Sequence, residues 1–160
     1  MKSLLKSTTE KMLSEAAGHE LYASHLYKHL ANQLQRLGYF GAQKFFLGES
    51  DDELKHYQKI ADFVNDMGSV LFVPSVPAMT EPVESLGEAL QTAFDTELEL
   101  MNFYAEAHGK SDTVTAQFLL EFIEVQRKAV GEYGDLLARL ERVADDSCGI
   151  LLIDQEMGGK

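Results

Sequence analysis

The sequence predicts an all-α protein: a four-helix bundle with a long crossover between the second and third helices and a short fifth helix at the C-terminus. All three prolines of the 160-residue chain fall within residues 74–82, and both flanking regions are rich in strong helix formers. Four long segments carry apolar residues at helical spacing, and short connections join them in pairs.

The first two predicted helices form a hairpin. The first runs from about Thr8 to Arg36, with Ser7 as its N-cap and Glu10 completing a capping box. The second runs from about residue 40 to residue 67 and stops at Gly68. Because only a few residues separate them, the two helices are expected to be antiparallel.

The sequence after the prolines predicts a second hairpin of two helices, followed by a short C-terminal helix. The third helix is expected from about residue 84 to residue 108, closed by Gly109. The fourth is expected from about residue 113 to residue 140, with Ser111 or Asp112 as its cap. A short helix over about residues 147–157 follows from the apolar tail GILLIDQEM.

The connection between the hairpins, residues 69–83, is long enough to span the bundle. A helix of about 28 residues measures roughly 42 Å, and this segment can stretch to roughly 50 Å. It can therefore place the third helix parallel to the second. With no repeat or linker in the chain, we expect one domain over residues 1–160, with the bundle over about 7–141.

The composition is acidic, with 26 Asp and Glu against 14 Lys and Arg and a formal net charge of −12. Such a charge argues against nucleic acid or anionic membranes as partners and favours cations. No apolar run approaches the roughly 20 residues of a membrane span, nor does the N-terminus resemble a signal peptide. The single cysteine, Cys148, excludes an internal disulfide, fits a reducing, cytoplasmic compartment and is expected to pack in the tail.

Each long helix carries one polar residue in its apolar stripe, near the helix midpoint. In a bundle of helices of equal length the midpoints lie at one level, whichever way each helix runs. The four polar side chains, with His56, should therefore converge inside the core. From the first helix to the fourth, these residues are Glu20, Glu53, Glu97 and Gln126.

A buried group of three carboxylates needs compensation, because desolvation costs about several kcal/mol per ion and like charges repel. The carboxylates can share protons or hold cations, and two divalent ions would balance their charge. Glu53 and His56, spaced E-x-x-H, face the same way and can bind one ion. Carboxylates with one imidazole and no thiolate favour iron or manganese, so the sequence predicts a di-metal centre.

Other polar residues lie near this predicted centre. Tyr27 and Tyr104, at helical spacing, are expected to be core residues whose hydroxyls could bond the cluster or be oxidised. Glu49 and Asp52 lie one turn before Glu53 and are expected to be solvated. They become relevant only if that side of the second helix lines a cavity.

On these residues the chain resembles the ferritins over essentially its full length. HELYASHLY, residues 19–27, resembles the first-helix motif, a ligand Glu followed seven residues later by Tyr. FFLGESDDELKH, residues 45–56, resembles the second-helix motif with its Glu and His. Glu97 in FDTELELMNFY and Gln126 in FLLEFIEVQ match the third- and fourth-helix ligands. The tail CGILLIDQEM resembles the fifth helix that gathers at the fourfold axis of the 24-subunit cage.

The resemblance implies a di-iron ferroxidase centre. Glu20, Glu53 and His56 would form the first iron site, and Glu53, as a bridge, would form the second with Glu97 and Gln126. The implied activity is oxidation of Fe(II) by oxygen or hydrogen peroxide. The ferric mineral would then be stored inside a homo-oligomeric cage of 24 subunits.

Several positions refine what the resemblance implies. Tyr27 would lie beside the irons. Leu54 stands where bacterioferritins carry their haem-ligating Met, so no haem is expected. Glu49 and Asp52 are possible auxiliary ligands of a third iron, but Ala129 stands where bacterial ferritins often carry a Glu. Because Val125 and Ala129 stand at the matching positions of the fourth helix, the sequence leaves the presence of a third iron site open.

Two other classes of function stay open. An uncaged di-iron oxidase or peroxide-scavenging enzyme of the rubrerythrin type would need E-x-x-H in both halves of the bundle, and the fourth helix has none. A metal-free binding module would need another reason for its buried carboxylates. Residues 150–153 would expose an apolar patch on a monomer, which favours the cage.

Overall fold

A computed structural model describes residues 1–160 and contains five helices and no strand, which confirms the all-α class. The helices are α1 (Ser7–Arg36), α2 (Phe40–Asp66), α3 (Leu86–Gly109), α4 (Thr113–Val143) and α5 (Ser147–Gly158). None of them combines the length and the apolar content needed to cross a membrane.

The first hairpin is antiparallel, and a pair of buried serines joins its helices. The Ser24 hydroxyl donates to the Ser50 carbonyl oxygen at 2.8 Å, and the Ser50 hydroxyl donates to the Ser24 carbonyl oxygen at 2.8 Å. Three residues further along α1, the Tyr27 ring lies 5.7 Å from that of Phe46, which precedes Ser50 on α2. The reciprocal bonds satisfy two hydroxyls that are buried where the helices meet.

Contacts between α1 and α3 fix the topology of the bundle. Tyr104 of α3 bonds Glu20 of α1, whereas Glu97 of α3 bonds Tyr27 of α1. The residue numbers rise on one helix as they fall on the other, so α1 and α3 are antiparallel and α2 and α3 are parallel. The connection between α2 and α3 therefore runs the length of the bundle, as predicted.

The start of α1 differs from the prediction. Lys6, not Ser7, is the N-cap residue, and no side chain caps the helix. The predicted capping box is wrong because the Glu10 carboxylate is engaged elsewhere. It accepts hydrogen bonds of 2.6 Å from the hydroxyls of Ser3 and Ser69, and so ties the N-terminal segment to the start of the crossover.

The other helix ends lie close to their predicted positions. Gly68 follows α2 with φ of 72°, a conformation that glycine adopts without strain. Ser85 caps α3, so this helix begins at Leu86, slightly later than predicted. Asp112 caps α4 by accepting from two backbone N–H groups at 3.0 Å.

The helix α5 packs against the start of α2. Ile153 is 2% exposed and Met157 is fully buried, whereas Leu151 and Leu152 are 52% and 55% exposed. The predicted apolar surface on the tail is thus confined to one side of this short helix. Cys148 is exposed rather than packed, because it lies in the first turn of α5, on its solvent side.

Candidate metal centre

The polar residues of the four apolar stripes lie together in the middle of the bundle. All four are buried, with 0–3% of their surface exposed. Each is carried by the buried face of a different helix, because the seven-residue spacing that buries its apolar neighbours buries it too. The residues are Glu20 on α1, Glu53 on α2, Glu97 on α3 and Gln126 on α4.

One half of this cluster is a group of three potential metal ligands. One ligand atom each from Glu20, Glu53 and His56 lies within 4.8 Å of the others. The His56 Nδ1 atom is 3.1 Å from Oε2 of Glu53 and 3.5 Å from Oε2 of Glu20. The imidazole lies edge-on to the ring of Phe122 on α4, with centroids 6.0 Å apart. The i, i+3 spacing on α2 places Glu53 and His56 on one face.

The other half of the cluster is centred on Glu97. The hydroxyl of Tyr27 donates to Oε1 of this carboxylate, and the side-chain amide of Gln126 donates to Oε2. Both oxygens of Glu97 are therefore occupied by donors from α1 and α4. A cation that binds this carboxylate would compete with the Gln126 amide and the Tyr27 hydroxyl for its oxygens.

Glu20 differs from Glu97 in having one free oxygen. Its Oε1 accepts a hydrogen bond from the hydroxyl of Tyr104, whereas Oε2 is buried and has no hydrogen-bond partner. Buried polar atoms in proteins are nearly always paired. A free carboxylate oxygen next to His56 and Glu53 fits a divalent cation with oxygen and nitrogen ligands.

Burial and mutual repulsion set the ionisation of the first group. Burial raises the pKa of the Glu53 carboxyl well above its usual range, and the adjacent Glu20 carboxylate raises it further. Burial also opposes the ionisation of Glu20, but the neighbouring side chains of Glu53, His56 and Tyr104 hold the pKa of Glu20 below its ordinary value. Of the two carboxyl groups, Glu53 therefore holds a proton more tightly than Glu20 does.

Burial and hydrogen bonding also shift the pKa values of His56 and Glu97. Burial opposes the charging of His56, but the nearby carboxylates of Glu20 and Glu53 outweigh it and raise the pKa of His56 to about 10. Burial raises the pKa of Glu97, although its two donors partly offset the shift. Protons on Glu53 and His56 thus stabilise the metal-free cluster. A cation that binds these two side chains must displace those protons.

A cavity of about 300 Å³ opens between α2 and α4 and reaches the cluster. Glu49 and Asp52, which the sequence placed at the surface of the second helix, line this cavity. Burial and the charges of Glu97, Glu132 and Asp52 raise the pKa of Glu49 to about 7. Ala129 lines the α4 side of this cavity, and its methyl group cannot bind a metal ion.

The structure adds two buried tyrosines, Tyr104 and Tyr133, to what the resemblance implied. The resemblance assigned only Tyr27 to the centre, yet Tyr104 bonds Glu20 as directly as Tyr27 bonds Glu97. Tyr104 follows Glu97 by seven residues, just as Tyr27 follows Glu20, and this shared spacing could have assigned Tyr104 to the centre from the sequence. Tyr133, which continues the stripe of α4, has a buried hydroxyl without a hydrogen-bond partner.

Comparisons with known proteins agree with this architecture. A family model described as a ferritin-like domain matches residues 10–143. The chain is 25% identical to a probable bacterial non-heme ferritin-like protein of Haemophilus influenzae, over 97% of this chain and 96% of that protein. It is 32% identical to a ferritin of Pacifastacus leniusculus, over 86% of this chain and 81% of that protein. An open pore ferritin of the archaeon Archaeoglobus fulgidus superimposes with a TM-score of 0.93 at 20% identity, covering 98% of this chain and 99% of that one.

Proposed function

The chain belongs to the ferritin family, and on that premise we propose that it is an iron-storage ferritin with ferroxidase activity. The reaction is the oxidation of two Fe(II) ions to Fe(III), in which one O₂ takes up two electrons and two protons to give hydrogen peroxide, or one hydrogen peroxide takes up two electrons and two protons to give two water molecules. The two electrons come from the irons, which are the substrate. The ferric product is stored as a mineral.

The observation that carries this proposal is the group of Glu20, Glu53 and His56, in which Oε2 of Glu20 faces the imidazole and accepts no hydrogen bond. Two carboxylates and one imidazole, brought within 4.8 Å of one another in a buried core, favour a divalent cation such as Fe(II). Once oxidised, the ion carries a third positive charge, which buried carboxylates stabilise more strongly than the second. The ligand set therefore favours the oxidised product.

The second iron would use the other half of the cluster. As the resemblance implies, Glu53 would bridge the two ions, with Glu97 and Gln126 as the further ligands. For this the Gln126 amide must turn its oxygen, rather than its nitrogen, towards the ion. Tyr27 would hold one oxygen of Glu97 while the other binds.

Storage requires an enclosure, and we infer a homo-oligomeric cage of 24 subunits. The exposed side of α5, with Leu151 and Leu152, is an apolar surface of the kind that marks an interface. The net charge of −12 would attract Fe(II) and seed mineral on a wall formed by many copies of the chain. The proposal places the protein in the reducing cytoplasm and assigns it no haem, since Leu54 has no sulfur atom to bind one.

Rapid mixing of the metal-free protein with Fe(II) in air, together with gel filtration, tests the proposal. Glu53→Ala and His56→Ala are expected to abolish the fast phase of Fe(II) oxidation and to leave the assembly size unchanged. Glu15→Ala, an exposed carboxylate on α1, is the matched control and should retain the fast phase.

Two results would contradict the proposal. Wild-type initial rates in Glu53→Ala or His56→Ala would mean that oxidation takes place elsewhere. A stable monomer that still oxidises Fe(II) would remove storage and leave the uncaged oxidase or peroxide-scavenging enzyme.

A further inference from the structure

The structure contains a second tyrosine bonded to the metal centre, and it is related to the first by the symmetry of the bundle. Glu20 and Tyr27 on α1 and Glu97 and Tyr104 on α3 have the same seven-residue spacing. Helical side chains lean towards the N-terminus, so each tyrosine reaches back towards the level of the glutamate on its own helix. Because the helices are antiparallel, the two tyrosines approach the cluster from opposite ends of the bundle.

Each tyrosine crosses to the glutamate of the other helix. Tyr27 donates to Oε1 of Glu97, and Tyr104 donates to Oε1 of Glu20. The two bonds have different consequences, because Gln126 occupies the second oxygen of Glu97, whereas the second oxygen of Glu20 is free. Of these two carboxylates, only the one that Tyr104 holds has an oxygen without a hydrogen bond.

The position of the Tyr104 hydroxyl is fixed by its packing. The residue is fully buried, and its ring lies 5.2 Å from that of Phe122 and 5.4 Å from that of Phe103. Glu20 is fully buried as well, so bulk solvent does not orient its carboxylate. The direction in which the free oxygen points therefore depends on the bond that the other oxygen makes.

We propose that Tyr104 is a positioning residue of the metal centre: its hydroxyl fixes Oε1 of Glu20 so that Oε2 faces the imidazole of His56. It thereby sets the affinity for the first cation. Partners that orient a metal ligand in this way typically contribute about 10–100-fold to affinity. The inference rests on the proposed function only in taking iron as the ion bound in the cell.

Titration of the full-length, metal-free protein with cobalt(II) tests this inference. The d–d absorption of bound Co²⁺ reports its coordination geometry and does not depend on the oxidation of iron. Tyr104→Phe is expected to weaken binding of the first Co²⁺ by about 10–100-fold and to shift the absorption bands of the first equivalent. Tyr133→Phe is the matched control. It removes the hydroxyl of another buried core tyrosine, but one that makes no hydrogen bond, and should leave both affinity and bands unchanged.

The outcomes separate this inference from the function proposed above. Equal affinity and equal bands in the wild type and Tyr104→Phe would overturn the role of Tyr104 alone. Failure of the wild type to bind Co²⁺ would overturn the metal centre as well. If Tyr104→Phe does not fold, 3-fluorotyrosine placed at position 104 tests the same bond with nearly the same volume. A shift of the first-equivalent bands supports the inference, and unshifted bands overturn it.

Discussion

Gln126 donates its side-chain amide to Oε2 of Glu97 while Tyr27 donates to Oε1, so the second half of the metal centre is closed by its own hydrogen bonds. The first half has a free carboxylate oxygen on Glu20. Cations are therefore expected to bind in order, first at Glu20 and His56 and then, after the amide turns, at Glu97.

Gln126→Glu tests this order of binding. The new carboxylate can bind a cation, whereas the Gln126 amide that it replaces donates a hydrogen bond to Glu97. Affinity for the second Co²⁺ or Zn²⁺ should therefore rise about tenfold, or roughly 1.4 kcal/mol of binding free energy. The metal-free protein should lose about 1–3 kcal/mol of stability, because a further buried carboxylate faces Glu97 without a donor. Isothermal titration and thermal unfolding measure the two effects. Gln117→Glu, exposed on the same helix, should change neither. An unaltered second affinity in Gln126→Glu would contradict ordered binding.

The sequence predicted the bundle because the apolar residues at helical spacing are repeated along every long helix. Polar residues such as Glu20 and Gln126 were identifiable because they interrupt stripes that are otherwise apolar. Their convergence followed from helix length alone, without any knowledge of side-chain conformation. The topology followed from the length of the crossover compared with the length of a helix.

The details that the sequence did not predict depend on contacts between distant segments. Glu10 was expected to cap α1, but hydroxyls from the N-terminal segment and the crossover compete for its carboxylate. The free oxygen of Glu20 and the occupied oxygens of Glu97 depend on which donor each tyrosine reaches. Residue spacing gives the position of Tyr104 but not the direction of its hydroxyl.

Tyr133→Phe should make the protein more stable. The Tyr133 hydroxyl is buried without a hydrogen-bond partner, and an unpaired buried polar group costs about 1–3 kcal/mol. The ring itself stacks on Phe46 with centroids 6.2 Å apart, a contact that phenylalanine preserves. We expect a gain of about 1 kcal/mol in the free energy of unfolding, measured with denaturant on the metal-free protein. A loss of stability would mean that the hydroxyl has a partner.

Stability of the metal-free protein should fall as the pH rises through neutrality, partly because of Glu49. Its pKa is about 7 in the folded protein, above the ordinary value of 4.5. The folded state therefore binds this proton more tightly than the unfolded state does. The resulting stabilisation is fully present below about pH 4.5 and is lost as the pH rises through 7.

Glu49→Gln removes this titration and should flatten the pH dependence. At pH 8 the variant is expected to be more stable than the wild type by about 1–3 kcal/mol, whereas at pH 4.5 the two should be similar. Thermal unfolding of the metal-free proteins from pH 4.5 to 8 measures the difference. Glu15→Gln, at an exposed carboxylate on α1, is the control and should follow the wild-type curve. Parallel curves for Glu49→Gln and the wild type would contradict the assignment.

The attachment of α5 to α2 depends on Asp154. Its carboxylate accepts hydrogen bonds from the backbone N–H groups of Ala42 at 2.7 Å and Gly41 at 3.3 Å. No side chain of α2 itself caps this helix, so Asp154 supplies the cap from a distant segment. Asp154→Ala should therefore cost about 0.5–2 kcal/mol of stability, as the loss of an N-cap does, and should increase proteolysis within α5.

Gly41 allows this close approach, and replacing it should release α5. A Cβ atom on Gly41 would lie 1.9 Å from the carbonyl oxygen of Asp154, so Gly41→Ala must push the short helix away. Gly48→Ala is the matched control on the same helix, because its Cβ would meet nothing within 4 Å. It should stabilise α2 by up to about 1 kcal/mol. Gel filtration and limited proteolysis should show a smaller, more easily cleaved species for Gly41→Ala only. Wild-type behaviour in Gly41→Ala would mean that α5 is not held against α2 in solution.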